Sequence, residues 1–109
     1  MSRIRCKCGE ILHDNTDNIS YKGYVLSDKQ FFPLLELADE MIEDTSPDRE
    51  VPVMKFRQNI SGYIRFRCVY QCYECGRLLV EGENGDFFFF SPEDHENKEL
   101  LDVETGEKL

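Results

Sequence analysis

Two short cysteine motifs, Cys6-Lys7-Cys8-Gly9 and Cys72-Tyr73-Glu74-Cys75-Gly76, constrain the fold of this chain more than any other feature. In the second motif, two thiolates three positions apart can face one metal ion. The glycine after them lets the backbone fold back at positive φ. The first motif has the same form with one residue fewer between its cysteines. Each follows a strand-like stretch carrying arginines on one face, and each is followed by a return strand. One such knuckle supplies two ligands, whereas a closed structural site needs four. Cys6, Cys8, Cys72 and Cys75 are therefore expected to form a single four-cysteine site. Zinc is the expected ion, with iron the poorer fit because four-thiolate iron usually takes two Cys-x-x-Cys pairs. Four protein thiolates leave no open position for water or substrate, so the metal is read as structural and the chain as a non-enzyme.

The rest of the composition agrees with a small, metal-stapled domain. At 109 residues the chain buries a modest share of its surface, and a metal cross-link adds what a small core lacks. Met1 to Arg5 lead directly into the first cysteine pair, with no signal-peptide pattern and no long apolar run. A reducing cytoplasm is the expected compartment, and there cysteine pairs bind metal more often than they form disulfides. The formal net charge is -9, and a four-thiolate zinc site adds roughly -2 more. Such acidity disfavours a phosphate backbone as partner and favours a protein with a basic surface, although solubility alone is the plainer reading.

Arg3 to Cys6 alternates as a short strand, and Glu10 to His13 is its return. Ile19 to Leu26 is rich in β-formers. A helix is expected over about 28–44, with Ser27 and Gln30 as a capping box. Phe31, Leu34, Leu35, Ala38, Met41 and Ile42 make its single apolar stripe. Pro33 is expected to kink this helix. Thr45 to Pro52 reads as a loop because two prolines interrupt it. Val53 to Ile60 is ambiguous between strand and helix, and Ser61-Gly62 breaks it. Tyr63 to Cys72 alternates cleanly and gives the strongest strand signal. Arg77 to Glu81 is its hairpin partner, Gly82 to Asp86 a turn, and Phe87 to Phe90 a further strand. Ser91-Pro92 is a helix-start signature. The chain is thus read as one domain over 1–95 with a helical insertion, followed by an acidic, mobile segment over 96–109.

Other candidates carry less. Cys68 shares a face with Phe66 and Tyr70 and reads as a buried core thiol; an extra ligand or a redox thiol is the sharper alternative. His13 and His95 read as surface histidines, since four cysteines complete a tetrahedron. Tyr63, Arg65 and Arg67, with Arg57, make the one basic and aromatic cluster, which is the form a nucleic-acid-binding ribbon takes. Its simpler reading is a solvated strand face.

The segments Cys6 to Glu10, Asp14 to Asn18, Tyr21-Lys22, Tyr70 to Leu78 and Phe90 to Asp94 resemble small uncharacterised bacterial proteins with a Cys-x-Cys and a Cys-x-x-Cys pair. The two knuckles together look like a zinc ribbon with a large insertion. The resemblance implies an α+β fold of antiparallel hairpins with an inserted amphipathic helix. In size and charge the chain is also similar to immunity proteins that neutralise secreted toxins. These likenesses imply a protein-binding module with a structural zinc. A nucleic-acid-binding ribbon and a thiol or redox enzyme using Cys68 are the alternatives.

Overall fold

A computed structural model describes residues 3–93 and 97–109. The fold is α+β. Strands β1 (Arg3–Arg5) and β2 (Ile11–His13) form a two-stranded antiparallel sheet. Strands β3 (Lys22–Leu26), β4 (Phe66–Gln71), β5 (Leu78–Glu81) and β6 (Phe87–Phe90) form a four-stranded sheet in that order. Helices α1 (Asp28–Glu43) and α2 (Glu50–Tyr63) lie in sequence between β3 and β4. Two compact units result. Val25–Phe66 carries both helices, and the rest of the described chain carries both cysteine motifs.

In the cysteine-bearing unit the two hairpins are in tight register. Ile4 faces Leu12 across β1 and β2, and Tyr70 faces Leu79 across β4 and β5. These four side chains are buried together with Cys6 and Cys72, and Tyr21, Cys68, Phe87 and Phe89 pack around them. Truncating a buried leucine such as Leu12 or Leu79 costs about 2–5 kcal/mol. The β5–β6 turn uses Gly85 at φ +81°, a conformation that favours glycine, and the Gly82 N–H donates to the Asp86 carbonyl.

The alternation from Tyr63 to Cys72 misled at both ends. Tyr63 closes α2, and β4 begins at Phe66. The helix continues through Ser61-Gly62, and the Ser61 hydroxyl bonds back to the carbonyls of Arg57 and Gln58 within it. Within β4, Val69, Tyr70 and Gln71 are all buried, so both faces of that strand are covered. Gln71 meets its burial with hydrogen bonds. Its side-chain amide donates to the carbonyls of Gly76 and Asn97, and its side-chain oxygen accepts from the Leu100 N–H at 2.7 Å. Leu101 lies beside Gly23 and Val69, where a Cβ on Gly23 would meet it at 3.3 Å.

The insertion holds two helices, not one. Pro52 does not stop α2, because it falls in the first turn, where the helix has no use for an amide hydrogen. α1 runs through Pro33 as one element. Ser27 makes no side-chain cap, and Gln30 is used elsewhere: its amide donates to the Tyr63 carbonyl at 2.8 Å and its oxygen accepts from the Arg65 N–H. The expected capping box is thus replaced by a tie between the start of α1 and the end of α2. The Arg49 guanidinium closes the other end of α1 by donating to the carbonyls of Met41 and Asp44. The single apolar stripe divides in two. Leu34, Leu37 and Met41 are half-buried, Leu37 and Met41 lining a small cavity with Pro52 and Phe56 of α2, while Phe31, Leu35 and Ile42 remain exposed. The Ser91-Pro92 signature has no helix through Glu93, and its continuation at Asp94 and His95 lies outside the described residues.

One polar cluster ties the first hairpin region to the larger sheet. Asp14 accepts from Lys22 at 2.8 Å and from the Tyr70 hydroxyl. The Lys22 ammonium, then the Tyr70 hydroxyl, hold the Asp14 carboxyl below its usual range. A carboxylate depressed in the folded state stabilises fully above its unfolded pKa, about 3.9, and loses that contribution as pH falls through the lowered value. Asp14→Asn should therefore cost about 1–3 kcal/mol near neutral pH. The stability gap to wild type, read from denaturant midpoints, should shrink as the pH falls below about 4. A gap that stays constant across that range would show that Asp14 is not ionised by its partners.

Candidate metal centre

Each cysteine motif forms the turn of a hairpin, the first between β1 and β2 and the second between β4 and β5. The local hydrogen bonding explains why two motifs of different length make equivalent turns. In the second, the Cys72 carbonyl accepts from the Gly76 N–H at 2.8 Å and the Cys72 N–H donates to the Arg77 carbonyl at 2.9 Å. In the first, the Cys6 carbonyl accepts from the Gly9 N–H at 3.0 Å and the Cys6 N–H donates to the Glu10 carbonyl at 2.9 Å. The same two bonds bracket the first cysteine of each motif, and the shorter motif closes them with one residue fewer. Gly9 at φ +101° and Gly76 at φ +81° supply the reversal in both.

The turns bring Cys6, Cys8, Cys72 and Cys75 together, with all four sulfurs within 4.8 Å of one another. Between the motifs, Cys6 lies 3.6 Å from Cys75 and Cys8 3.6 Å from Cys72. Four sulfurs held at about 2.3 Å from one tetrahedral ion lie about 3.8 Å apart, so the set has the dimensions of a four-thiolate metal site. A disulfide would need about 2.05 Å, and all five cysteines are free. Cys6 and Cys72 belong to the buried core, Cys75 is half-buried and Cys8 is exposed. The cluster therefore lies at the rim of the core, with two of its cysteines serving as core side chains.

Electrostatics distinguishes the four thiols. Burial pushes Cys72 up to about 12 and raises Cys6 as well. Burial also acts to raise Cys75, but the Arg77 backbone N–H and its guanidinium, 3.3 Å from the sulfur, outweigh it and bring that thiol down to about 6. Cys75 thus carries a thiolate more readily than Cys6 or Cys72. A divalent cation held there would supply positive charge that favours the thiolate forms, and its binding would release protons.

Contacts absent from any sequence motif hold the two turns together. Tyr73 sits between the cysteines of the second motif, and its single hydroxyl hydrogen is shared between the Ile11 carbonyl and the Glu10 carboxylate, next to the first. Its ring packs on Tyr21 with centroids 5.4 Å apart. Lys7 of the first motif lies over the Phe89 ring of β6 at 4.9 Å. Aromatic residues in a knuckle are common enough that the sequence carried no signal for these roles.

Among the described residues, the other candidates fall outside the sulfur cluster. Cys68 packs against the core, and burial, reinforced by Glu81, raises its thiol, which opposes a reactive thiolate. His13 is on β2, exposed, with its backbone N–H and carbonyl both bonded to the Tyr21 hydroxyl. His95 lies outside the described residues. Tyr63, Arg65 and Arg67 do not share a strand: Tyr63 ends α2, the Arg65 N–H bonds to Gln30, and Arg67 on β4 pairs with Glu83 at 3.3 Å. Among the described residues no helix is long and apolar enough to cross a membrane.

A structural four-thiolate metal contributes about 10–16 kcal/mol to folding, as much as or more than the whole stability of a small domain, about 5–15 kcal/mol. Cys6→Ser and Cys72→Ser are each expected to unfold the cysteine-bearing unit, by circular dichroism and by loss of bound metal. Cys68→Ser should cost no more than an ordinary core change, about 1–3 kcal/mol. A stable, metal-loaded Cys6→Ser protein would sink the four-cysteine arrangement.

No curated protein and no solved structure matches the chain. The paired cysteine turns and the helices between them all fall within residues 2–94, the stretch matched by one family model. The chain accordingly belongs to the family described as a domain of unknown function, DUF8617.

Proposed function

We propose that the chain is a non-enzymatic protein-binding module, closed in the manner of a zinc ribbon by one zinc ion in Cys6, Cys8, Cys72 and Cys75. The observation that carries this reading is the convergence of four protein sulfurs within 4.8 Å. Such a set completes a tetrahedron without an outside ligand, which suits zinc held for structure rather than for catalysis. All-sulfur ligation and free cysteines fit a reducing cytoplasm. With the metal used for folding, the surface is what remains to act. At a net charge of -9 that surface is suited to a basic protein, because opposite potentials speed encounter and fix orientation. A secreted toxin with a basic surface, held in the way an immunity protein holds its target, is one partner of this kind.

Native mass spectrometry of the freshly purified protein, with elemental analysis for zinc and iron, tests the first half. One zinc per chain is expected, lost together with structure on chelation. No metal and five free thiols would overturn it. Immobilised zinc-loaded protein tests the second half. It is expected to retain a basic protein that high salt releases, as screening requires. A salt-sensitive shift of single-stranded RNA, abolished by Arg65→Glu/Arg67→Glu, would favour the nucleic-acid reading instead.

A further inference from the structure

α1 carries two apolar stripes, and only one of them is turned to α2. Leu34, Leu37 and Met41, spaced by three and four residues, are its half-buried side. Phe31, Leu35, Ala38 and Ile42 follow a four-three-four spacing on the neighbouring side. Phe31 is 46% exposed, Leu35 45% and Ile42 68%. That spacing repeats every 3.5 residues and is the seam by which one helix receives another. From Phe31 to Ile42 it runs about 16 Å along the 16-residue helix.

The charge beside the seam selects the occupant. Glu36, Asp39 and Glu43 border it on the side away from α2, all exposed, and none makes an ion pair among the described residues. α1 holds five acidic residues against one lysine, and no basic residue stands in its last turn. Carboxylates near a helix C-terminus oppose the macrodipole, so their placement does not serve the stability of α1 itself. A second copy of this chain would set the same acidic border against itself. A helix with apolar residues at matching spacing and Lys or Arg beside them answers both the seam and the border.

We infer that the Phe31/Leu35/Ala38/Ile42 seam of α1 is a docking surface for a basic amphipathic helix of a partner protein. This rests on the protein-binding reading above and identifies the surface and the partner's chemistry.

A synthetic helical peptide with Leu at four-three-four spacing and flanking Lys is the probe, titrated by fluorescence anisotropy into the zinc-loaded full chain. Binding is expected, weakened by salt, and lowered about tenfold or more by Leu35→Asp or Ile42→Glu with zinc content and circular dichroism unchanged. Asp39→Lys/Glu43→Lys should weaken the Lys peptide and remove most of its salt dependence. Absence of binding, equal binding by the seam variants, or equal binding of a Glu-flanked peptide would overturn the inference. So would wild-type self-association that Ile42→Glu abolishes, or unfolding by both seam variants, which would make the stripe part of the chain's own packing. Retention of a basic protein that survives both seam variants would leave the protein-binding reading standing and remove this surface from it.

Discussion

The meeting of two cysteine turns from distant parts of the chain is the constraint on which the rest of the structure depends. Cys6 lies against Cys75 and Cys8 against Cys72, so neither hairpin can complete the sulfur cluster without the other. The core repeats that dependence. β1 with β2 forms a sheet of only two strands, too small to be stable in water by itself, and its Ile4 and Leu12 are buried among side chains of β4 and β5. Sulfur cluster and apolar core are one structure, because Cys6 and Cys72 are members of both.

Around that centre, individual side chains do the joining that no regular element does. Tyr73 reaches from one cysteine turn to the backbone of the other hairpin. Asp14 gathers Lys22 and Tyr70. Gln71, buried in β4, takes hold of Asn97 and Leu100 and so gives the segment after β6 a fixed partner. A buried amide with all of its groups bonded is specific as well as stabilising, since any other register would leave it unsatisfied at a cost of about 1–3 kcal/mol. The helical unit follows the same logic on a smaller scale, with Gln30 and Arg49 fixing the ends of α1 through side-chain bonds to backbone.

The two units differ in how fully they bury what the sequence gives them. The cysteine-bearing unit covers its core, and two of its clustered cysteines, Cys6 and Cys72, are fully enclosed. In the helical unit α1 has no fully buried residue, and α2 has Pro52. Two helices enclose one stripe each between them. A helix with apolar residues on two neighbouring sides is left with one side unmet. That surplus, set beside uncompensated carboxylates, is where the chain's chemistry faces outward.

The sequence by itself determined the grouping of the four cysteines, the hairpins around them, a helix over about 28–44 and the α+β class. These signals are local: ligand spacing, glycine at positive φ, period-two alternation and a three-to-four residue apolar repeat. It left α2 ambiguous, because Pro52 looks like a breaker until its place in the first turn is known. Period-two alternation places Tyr63 in β4, because it carries no signal for where the preceding helix ends. Gln30 was read as a cap because the capping-box pattern is silent about a distant carbonyl. Tertiary structure alone decided that Gln71 is buried, that Tyr73 bridges the turns, and that the stripe of α1 divides in two. Each of these depends on residues far apart in the chain, and such contacts exist only once the chain has closed on itself.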